Sequence, residues 1–340
     1  MNNDKVSYEK SVKTVAAEID ISRGTILVTG ASGLIGTCLI DVLSEANRSL
    51  GKQFEIIALG RDIKKMQERF GSNSAVRCIS HNIVNSIELD NIDYIVHAAS
   101  NADPRSYALY PAETILANIL GARTVLDYCR NHKTRALLTS TFEVYGKLNQ
   151  DEYSENDFGI IDMNSIRSSY PESKRTAELL FKSYHDEYGV DCLIARLSSI
   201  YGPTMQKDDS KAHAQFLKNA LDGKDIVLKS KGDQKRTYCY VIDAISGILT
   251  ILFRGKSGEA YNVANDQSIA TIADVAHTIA DIVGTNVVFD LPDAIESKGF
   301  SKPQNCILKT EKIKSLEWNG RFNLRDGMEE TISTLRERKR

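Results

Sequence analysis

One stretch restricts the fold more than any other. Ile26-Leu27-Val28-Thr29 is an apolar run that leads into Gly30-Ala31-Ser32-Gly33-Leu34-Ile35-Gly36, three glycines spaced three apart, and then directly into a helical segment, Thr37–Leu43. Strand, glycine turn and helix in that order leave each glycine a mechanical task. One permits a tight turn, one lets the backbone approach a pyrophosphate, and one lets the helix lie close on the strand. The free N–H groups of the helix N-terminus then face the phosphates. The expected dinucleotide contacts are Gly30, Ser32, Gly33, Leu34, Ile35 and Gly36. The competing reading, a tight turn that binds nothing, leaves this strand-to-helix context unexplained.

After this turn, short apolar strands alternate with helix-period segments, the rhythm of a parallel sheet covered on both faces. Strands are expected at Thr25–Val28, Glu55–Leu59, Val76–Ser80, Tyr94–Ala98, Ala136–Thr139 and Cys192–Arg196. The rhythm breaks after Gly202-Pro203, where Ala212–Leu221 reads as a helix, Ile226–Leu228 as a strand and Ile272–Val283 as an amphipathic helix. The fold class is therefore α/β, a doubly wound parallel sheet with a smaller C-terminal α/β substrate lobe. The expected division is an N-terminal helical extension over 1–22, a dinucleotide-binding domain over 23–201, and a lobe over 202–340 with some segments returning to the main domain. In the extension, Val12, Val15, Ala16 and Ile19 recur at helical spacing and predict a helix packed on the outside of the main domain.

Composition excludes several classes of protein. A formal net charge of -2, with no basic block beyond the tail Arg336-Glu337-Arg338-Lys339-Arg340, gives no surface for nucleic acid or membrane. Cys38, Cys78, Cys129, Cys192, Cys239 and Cys306 are scattered without C-x-x-C spacing, so neither a metal site nor a disulfide framework is expected. A reducing cytoplasm suits them. The opening residues lack the apolar core of a secretory signal, and no run approaches a membrane span.

Around the cofactor, the second strand ends Ala58-Leu59-Gly60-Arg61-Asp62. An acidic residue there would hold the adenosine ribose of NAD, whereas Arg61 can meet the 2′-phosphate of NADP and Asp62 can turn back to the ribose. NAD is expected, with NADP left open. Asn82 and Ile83 after the third strand are placed to touch adenine, and Ala98, Ala99 and Ser100 after the fourth offer small residues along the cofactor's middle. His97 beside them reads as a packed core residue.

Tyr170-Pro171-Glu172-Ser173-Lys174 sets a phenol and an ammonium four apart on one helical face, where the cation can lower the phenol's pKa. A phenolate takes a proton from a hydroxyl as hydride leaves, and Thr141, at the end of the fifth strand, holds the same hydroxyl in line. Tyr170 and Lys174 also border the cofactor.

These features, with Thr139-Ser140-Thr141-Phe142-Glu143-Val144-Tyr145-Gly146, Ala195-Arg196, Tyr201-Gly202-Pro203 and Gly232-Asp233-Gln234 leading to Arg236 and Tyr240-Val241-Ile242-Asp243, run from about Thr25 to Asn262. The combination resembles the extended short-chain dehydrogenase/reductase superfamily, with its Rossmann domain, and within it the nucleotide-sugar epimerases, dehydratases and decarboxylases. The resemblance implies a nucleotide-sugar substrate oxidised at C4 and a bound cofactor that is reduced and, in many members, reoxidised in the same turnover. It implies a homodimer formed through two helices that here include Ala112–Arg130 and Tyr170–Tyr188. It also gives Arg236 a role on the pyrophosphate or sugar, and sets Ser199 in the stretch Leu197–Ile200 where many relatives carry a substrate-contacting asparagine.

Glu143 sets this chain apart from simple 4-epimerases and toward the UDP-glucuronate decarboxylase and dTDP-glucose 4,6-dehydratase branch. A carboxylate near C5 of a 4-keto sugar can start an elimination or steer loss of a C5 carboxylate. Its plainer role would be a cap or an ion-pair partner. Phe142 stands where dehydratases carry Asp and decarboxylases Ser, and it cannot donate a proton to a departing hydroxyl. Thr204 stands where decarboxylases carry an arginine. The expected activity is 4,6-dehydration or decarboxylation through a 4-keto intermediate. A 4-epimerase or 4-dehydrogenase is the alternative, and a catalytically silent dinucleotide sensor is a remote third, disfavoured by the presence of Thr141, Tyr170 and Lys174 together.

Overall fold

A computed structural model describes residues 7–291 and 304–339. Arg340, the first six residues of the extension and part of the expected lobe lie outside the described residues.

The main sheet begins with β1 (Arg23–Thr29), whose last four residues are buried and whose apolar side chains fill both faces, as a central parallel strand requires. Its neighbours are β2 (Gln53–Gly60) and β4 (Tyr94–His97). Beyond β2 lies β3 (Val76–Ser80), and beyond β4 come β5 (Arg135–Thr141) and the strand Cys192–Leu197. Every pairing is parallel. The sheet has seven strands rather than the six expected, because Ala260–Val263 pairs with Cys192–Leu197 at the edge. That strand is short and follows the break in rhythm, but the buried helix Val241–Arg254 carries the chain back to the sheet. Strand order reverses at β1, between β2 and β4, and such a switch point opens a crevice at the carboxyl ends of the strands.

Six helices matter to the site and its support: α1 (Tyr8–Ala17), α2 (Leu34–Leu50), α3 (Ile63–Phe70), α4 (Pro104–Leu109), α5 (Pro111–Asn131) and α6 (Ser169–Tyr188). α1 buries Val12, Val15 and Ala16, followed by Ile19, in the same apolar cluster as Leu39, Leu43 and Ile245. Two hydrogen bonds pin it, from the Tyr8 hydroxyl to Asp41 at 2.7 Å and from the Ser11 hydroxyl to Glu330 at 2.9 Å.

Beyond the sheet, Lys235–Tyr240 pairs with Ser199–Tyr201 in parallel and with Ile269–Thr271 antiparallel, and Val287–Phe289 pairs with Ile226–Leu228. The helices Ala212–Leu221 and Ile272–Val283 pack beside these small sheets, the latter opened by a capping box between Thr271 and Asp274. The fold is thus α/β, a doubly wound parallel sheet with smaller α/β elements on one end of the crevice. Among the described residues no helix is long and apolar enough to cross a membrane, and no group of three or more His, Cys, Asp or Glu could hold a metal ion.

Candidate active site

The glycine turn takes its shape from contacts that exclude a side chain. Gly30 has φ +67°, and a Cβ there would lie 2.6 Å from the Ala98 carbonyl oxygen, across the β1/β4 switch point. A Cβ on Gly36 would meet the Gly30 oxygen at 2.5 Å, so the first turn of α2 lies directly on the loop. α2 starts at Gly33 with no side-chain cap, which leaves its first N–H groups without that partner. A cavity of about 500 Å³ runs from this turn across the strand ends.

That cavity is lined by Gly30, Gly33, Leu34, Ile35, Gly36, Arg61, Ala98 and Ser100 at one end, and by Thr141, Glu143, Tyr170, Lys174, Ser199 and Arg236 toward the other. Ser32, Asn82, Ile83 and Ala99 stand outside its lining. Ile83 is buried against Gly121 of α5, Asn82 turns its carboxamide into its own loop toward the Val84 amide, and the Ala99 amide donates to Thr29 at 3.2 Å. The buried hydroxyls of Ser100, Ser140 and Ser198 and the Nε of Arg236 border the cavity without a hydrogen-bond partner among the described residues. Unsatisfied polar groups on a long crevice, together with a glycine cradle, fit a dinucleotide and a second polar ligand.

Thr141 ends β5, and Tyr170 and Lys174 lie one turn apart on α6. The Lys174 ammonium is buried and donates to the Thr139 carbonyl oxygen at 2.9 Å. Burial lowers its pKa to about 8. Burial and then the Glu143 charge push the Tyr170 phenol above its ordinary value, while the adjacent Thr141 hydroxyl draws it back. The Lys174 ammonium is turned to Thr139, and on Tyr170 the effects that raise the phenol, burial first and then the Glu143 charge, outweigh those that lower it. His97 is a core residue, bonded through Nδ1 to the Thr29 hydroxyl at 2.8 Å, with its pKa lowered to about 3 by burial and by Lys174.

Several lining residues carried no recognisable sequence signal. Tyr107 of α4 stacks on Tyr170, ring centroids 5.2 Å apart and planes 13° from parallel. Burial, then Glu143, pushes its phenol up to about 12. Arg167 lies three residues before Tyr170, in the short helical turn Ile166–Ser168. Its guanidinium is 2.8 Å from the Glu143 carboxylate and 5.8 Å from the centre of the Tyr107 ring. Phe142 places its ring under the Arg236 guanidinium at 5.3 Å. His213 and Phe216 of the helix Ala212–Leu221 close the far end. Thr204 reaches the first turn of α2 instead, donating to the Leu34 oxygen at 2.9 Å.

Fold and crevice together put the chain among the dinucleotide-dependent enzymes of the short-chain dehydrogenase type. The model of the NAD dependent epimerase/dehydratase family matches residues 26–264, and the chain belongs to that family. UDP-glucuronic acid decarboxylase 6 of Arabidopsis thaliana is 30% identical over 310 residues, which cover 89% of this chain and 86% of the relative. The fold is similar to that of a dTDP-glucose 4,6-dehydratase from Streptomyces venezuelae, solved with NAD bound. Identity is 24% and the TM-score 0.79, over 93% of this chain and 98% of the other. It is also similar to a UDP-glucuronic acid 4-epimerase from Bacillus cereus, solved with UDP-glucuronic acid and NAD, at 23% identity and a TM-score of 0.78 over 92% and 99%.

Proposed function

We propose that this chain is an NAD-dependent decarboxylase of a nucleotide-linked hexuronate, and that it reaches decarboxylation by way of a 4-keto sugar. The observation that carries the choice is Phe142. Elimination of a sugar hydroxyl needs a proton donor, and the residue just before Glu143 is a phenyl ring packed on Arg236. Loss of carbon dioxide needs none on the departing group, and the proton that C5 gains afterwards can come from water. Two guanidiniums, Arg167 and Arg236, also border the cavity, which suits a substrate that carries a carboxylate as well as a diphosphate.

Tyr170 accepts the proton of the C4 hydroxyl, Thr141 orients that hydroxyl, and Lys174 with Tyr170 would hold the cofactor. A bound nicotinamide would supply the hydride acceptor for oxidation at C4 and the hydride donor for the later reduction. Once C4 is a ketone the substrate is a β-keto acid. The bond from C5 to its carboxyl carbon breaks and carbon dioxide leaves, the electron pair moves onto the C4 oxygen, C5 takes a proton from water as the ketone re-forms, and Tyr170 gives its proton back as C4 is reduced. Glu143, held by Arg167, faces the substrate carboxylate and favours its departure as a neutral molecule.

We further propose that the active form is a homodimer built through α5 and α6. Their outer faces expose Leu116 and Leu179 at 53% and 64%, a weak point for a monomer, and light scattering of L116E/L179E tests the pairing. The six free thiols fit a reducing cytoplasmic compartment.

The deciding experiment incubates the protein with UDP-glucuronate, UDP-glucose, dTDP-glucose and GDP-mannose and weighs the products. Loss of 44 mass units from the uronate alone is expected. Loss of 18 from a neutral hexose would overturn decarboxylation in favour of dehydration. Unchanged mass with inverted C4, or loss of 2, would mark an epimerase or a dehydrogenase.

A further inference from the structure

One stretch of chain joins the two walls of the crevice. Residues 203–211 lie between the strand Ser199–Tyr201 and the helix Ala212–Leu221, and Gln206, Asp208, Asp209 and Lys211 among them line the cavity. We propose that this stretch is a strap that gates the passage of the dinucleotide, and that Asp103 latches it through Ser210. The gate acts on the family's dinucleotide site and does not depend on the decarboxylation proposed above.

At its near end the strap is bound to the glycine turn. The Thr204 hydroxyl donates to the Leu34 oxygen at 2.9 Å, and the Gln206 carboxamide donates to the Ser32 carbonyl at 3.2 Å while accepting from the Lys65 ammonium at 2.6 Å. At its far end the strap is bound to the loop between β4 and α4. The Ser210 amide and hydroxyl both donate to Oδ1 of Asp103, at 2.7 and 2.6 Å, and the Arg105 amide donates to the Ser210 hydroxyl oxygen at 3.2 Å. The glycine turn follows β1 and the Asp103 loop follows β4, the paired strands at the switch point. A strap tied to both stands across the opening through which a dinucleotide passes.

Asp103 is built for this task. Its second oxygen, Oδ2, caps α4, accepting the Ser106 amide at 3.1 Å and the Ser106 hydroxyl at 3.3 Å, so the carboxylate is oriented by its own helix before the strap meets it. Burial acts to raise the Asp103 pKa, but the bonds from Ser210 and Ser106 outweigh it and hold the carboxyl below its ordinary value. The latch bonds are therefore charge-assisted. Next to them, the Lys211 amide donates to the Asp209 carboxylate at 2.9 Å, and the Asp209 carbonyl accepts the Gln215 carboxamide at 2.6 Å and the Lys218 ammonium at 2.8 Å. This end of the strap is thereby fastened to the helix Ala212–Leu221 and moves with it, together with His213 and Phe216 at the far end of the cavity. Lys207 and Asp208, between the two anchored ends, are exposed.

The latch joins protein to protein, so weakening it opens the strap whether or not the crevice holds dinucleotide. Release and entry should then both quicken while affinity stays nearly constant, a pattern that loss of a direct contact to the ligand would not give. Rapid filtration of protein carrying labelled NAD+, diluted into unlabelled NAD+, measures release, and mixing nucleotide-stripped protein with labelled NAD+ measures entry. Asp103→Ser keeps one oxygen to cap α4 and gives up the one that Ser210 needs. It should speed release and entry each on the order of 10-fold and change affinity by less than about 3-fold. Ser210→Ala, which loses the hydroxyl bond and keeps the amide bond, should speed both by about 3-fold. Wild-type rates in Asp103→Ser would overturn the latch. So would faster release with unchanged entry, which would put Asp103 on the dinucleotide itself. Neither measurement requires turnover, so a failed decarboxylase assay leaves the result standing, and unlatched rates leave the proposed reaction untouched.

Discussion

The Arg167 guanidinium lies 2.8 Å from the Glu143 carboxylate, and the two bear in opposite senses on the phenol of Tyr170. Glu143 pushes that phenol up and Arg167 pulls it down. On the proposed mechanism the pair would set when Tyr170 can accept a proton.

Arg167→Met should leave the Glu143 charge uncompensated and raise the Tyr170 pKa further, moving the rising limb of the pH–rate profile toward alkaline pH. Glu143→Gln should move it toward acid, because it removes an acceptor charge that disfavours the phenolate. Single-turnover cofactor reduction, followed by absorbance across a pH series, checks both. Shifts in the same direction would show that the pair does not act on Tyr170. With Glu143→Gln, product should also fall while initial cofactor reduction persists.

Tyr170→Phe should lower the oxidation rate by on the order of 10²–10⁴-fold, since the hydroxyl that carries the proton is gone while the ring stacked on Tyr107 remains. Cofactor affinity, measured by titration, should change little. Loss of affinity and rate together would place the chemistry elsewhere.

Lys174 gives a prediction about stability. Its folded pKa is about 8 and its ordinary value 10.5. Between those values the unfolded chain holds the proton and the folded chain does not, so the contribution of Lys174 to stability rises with pH across that window. The stability advantage of Lys174→Met over wild type should accordingly shrink by about 1.4 kcal/mol per pH unit from pH 8 to 10. Urea unfolding of the cofactor-free proteins measures it, and a constant difference would mean the lysine is not held in this environment.

Gly30→Ala should cost on the order of 1–3 kcal/mol from the left-handed backbone alone. The close approach of a new Cβ to the Ala98 carbonyl adds to that and pushes β1 from β4 at the switch point. Thermal unfolding should shift downward and dinucleotide binding should weaken with it. Unaltered binding would mean that the turn does not hold the cofactor.

Much of this molecule is written locally in its sequence. The glycine turn is legible because backbone sterics at Gly30 and Gly36 leave few alternatives, and Tyr170 and Lys174 are legible because helical spacing alone puts them on one face. The α1 helix could be read from the period of Val12, Val15, Ala16 and Ile19, but not where it docks, since Ser11 finds Glu330 near the other end of the chain. Likewise the seventh strand, Ala260–Val263, has a plain sequence and becomes a strand because the helix before it returns to an open sheet edge. The tertiary structure also set Arg167 on Glu143, stacked Tyr107 on Tyr170 and turned the Lys174 ammonium to Thr139. Those are contacts between separate elements, and their energies depend on burial and approach distance, which no spacing along one chain segment encodes.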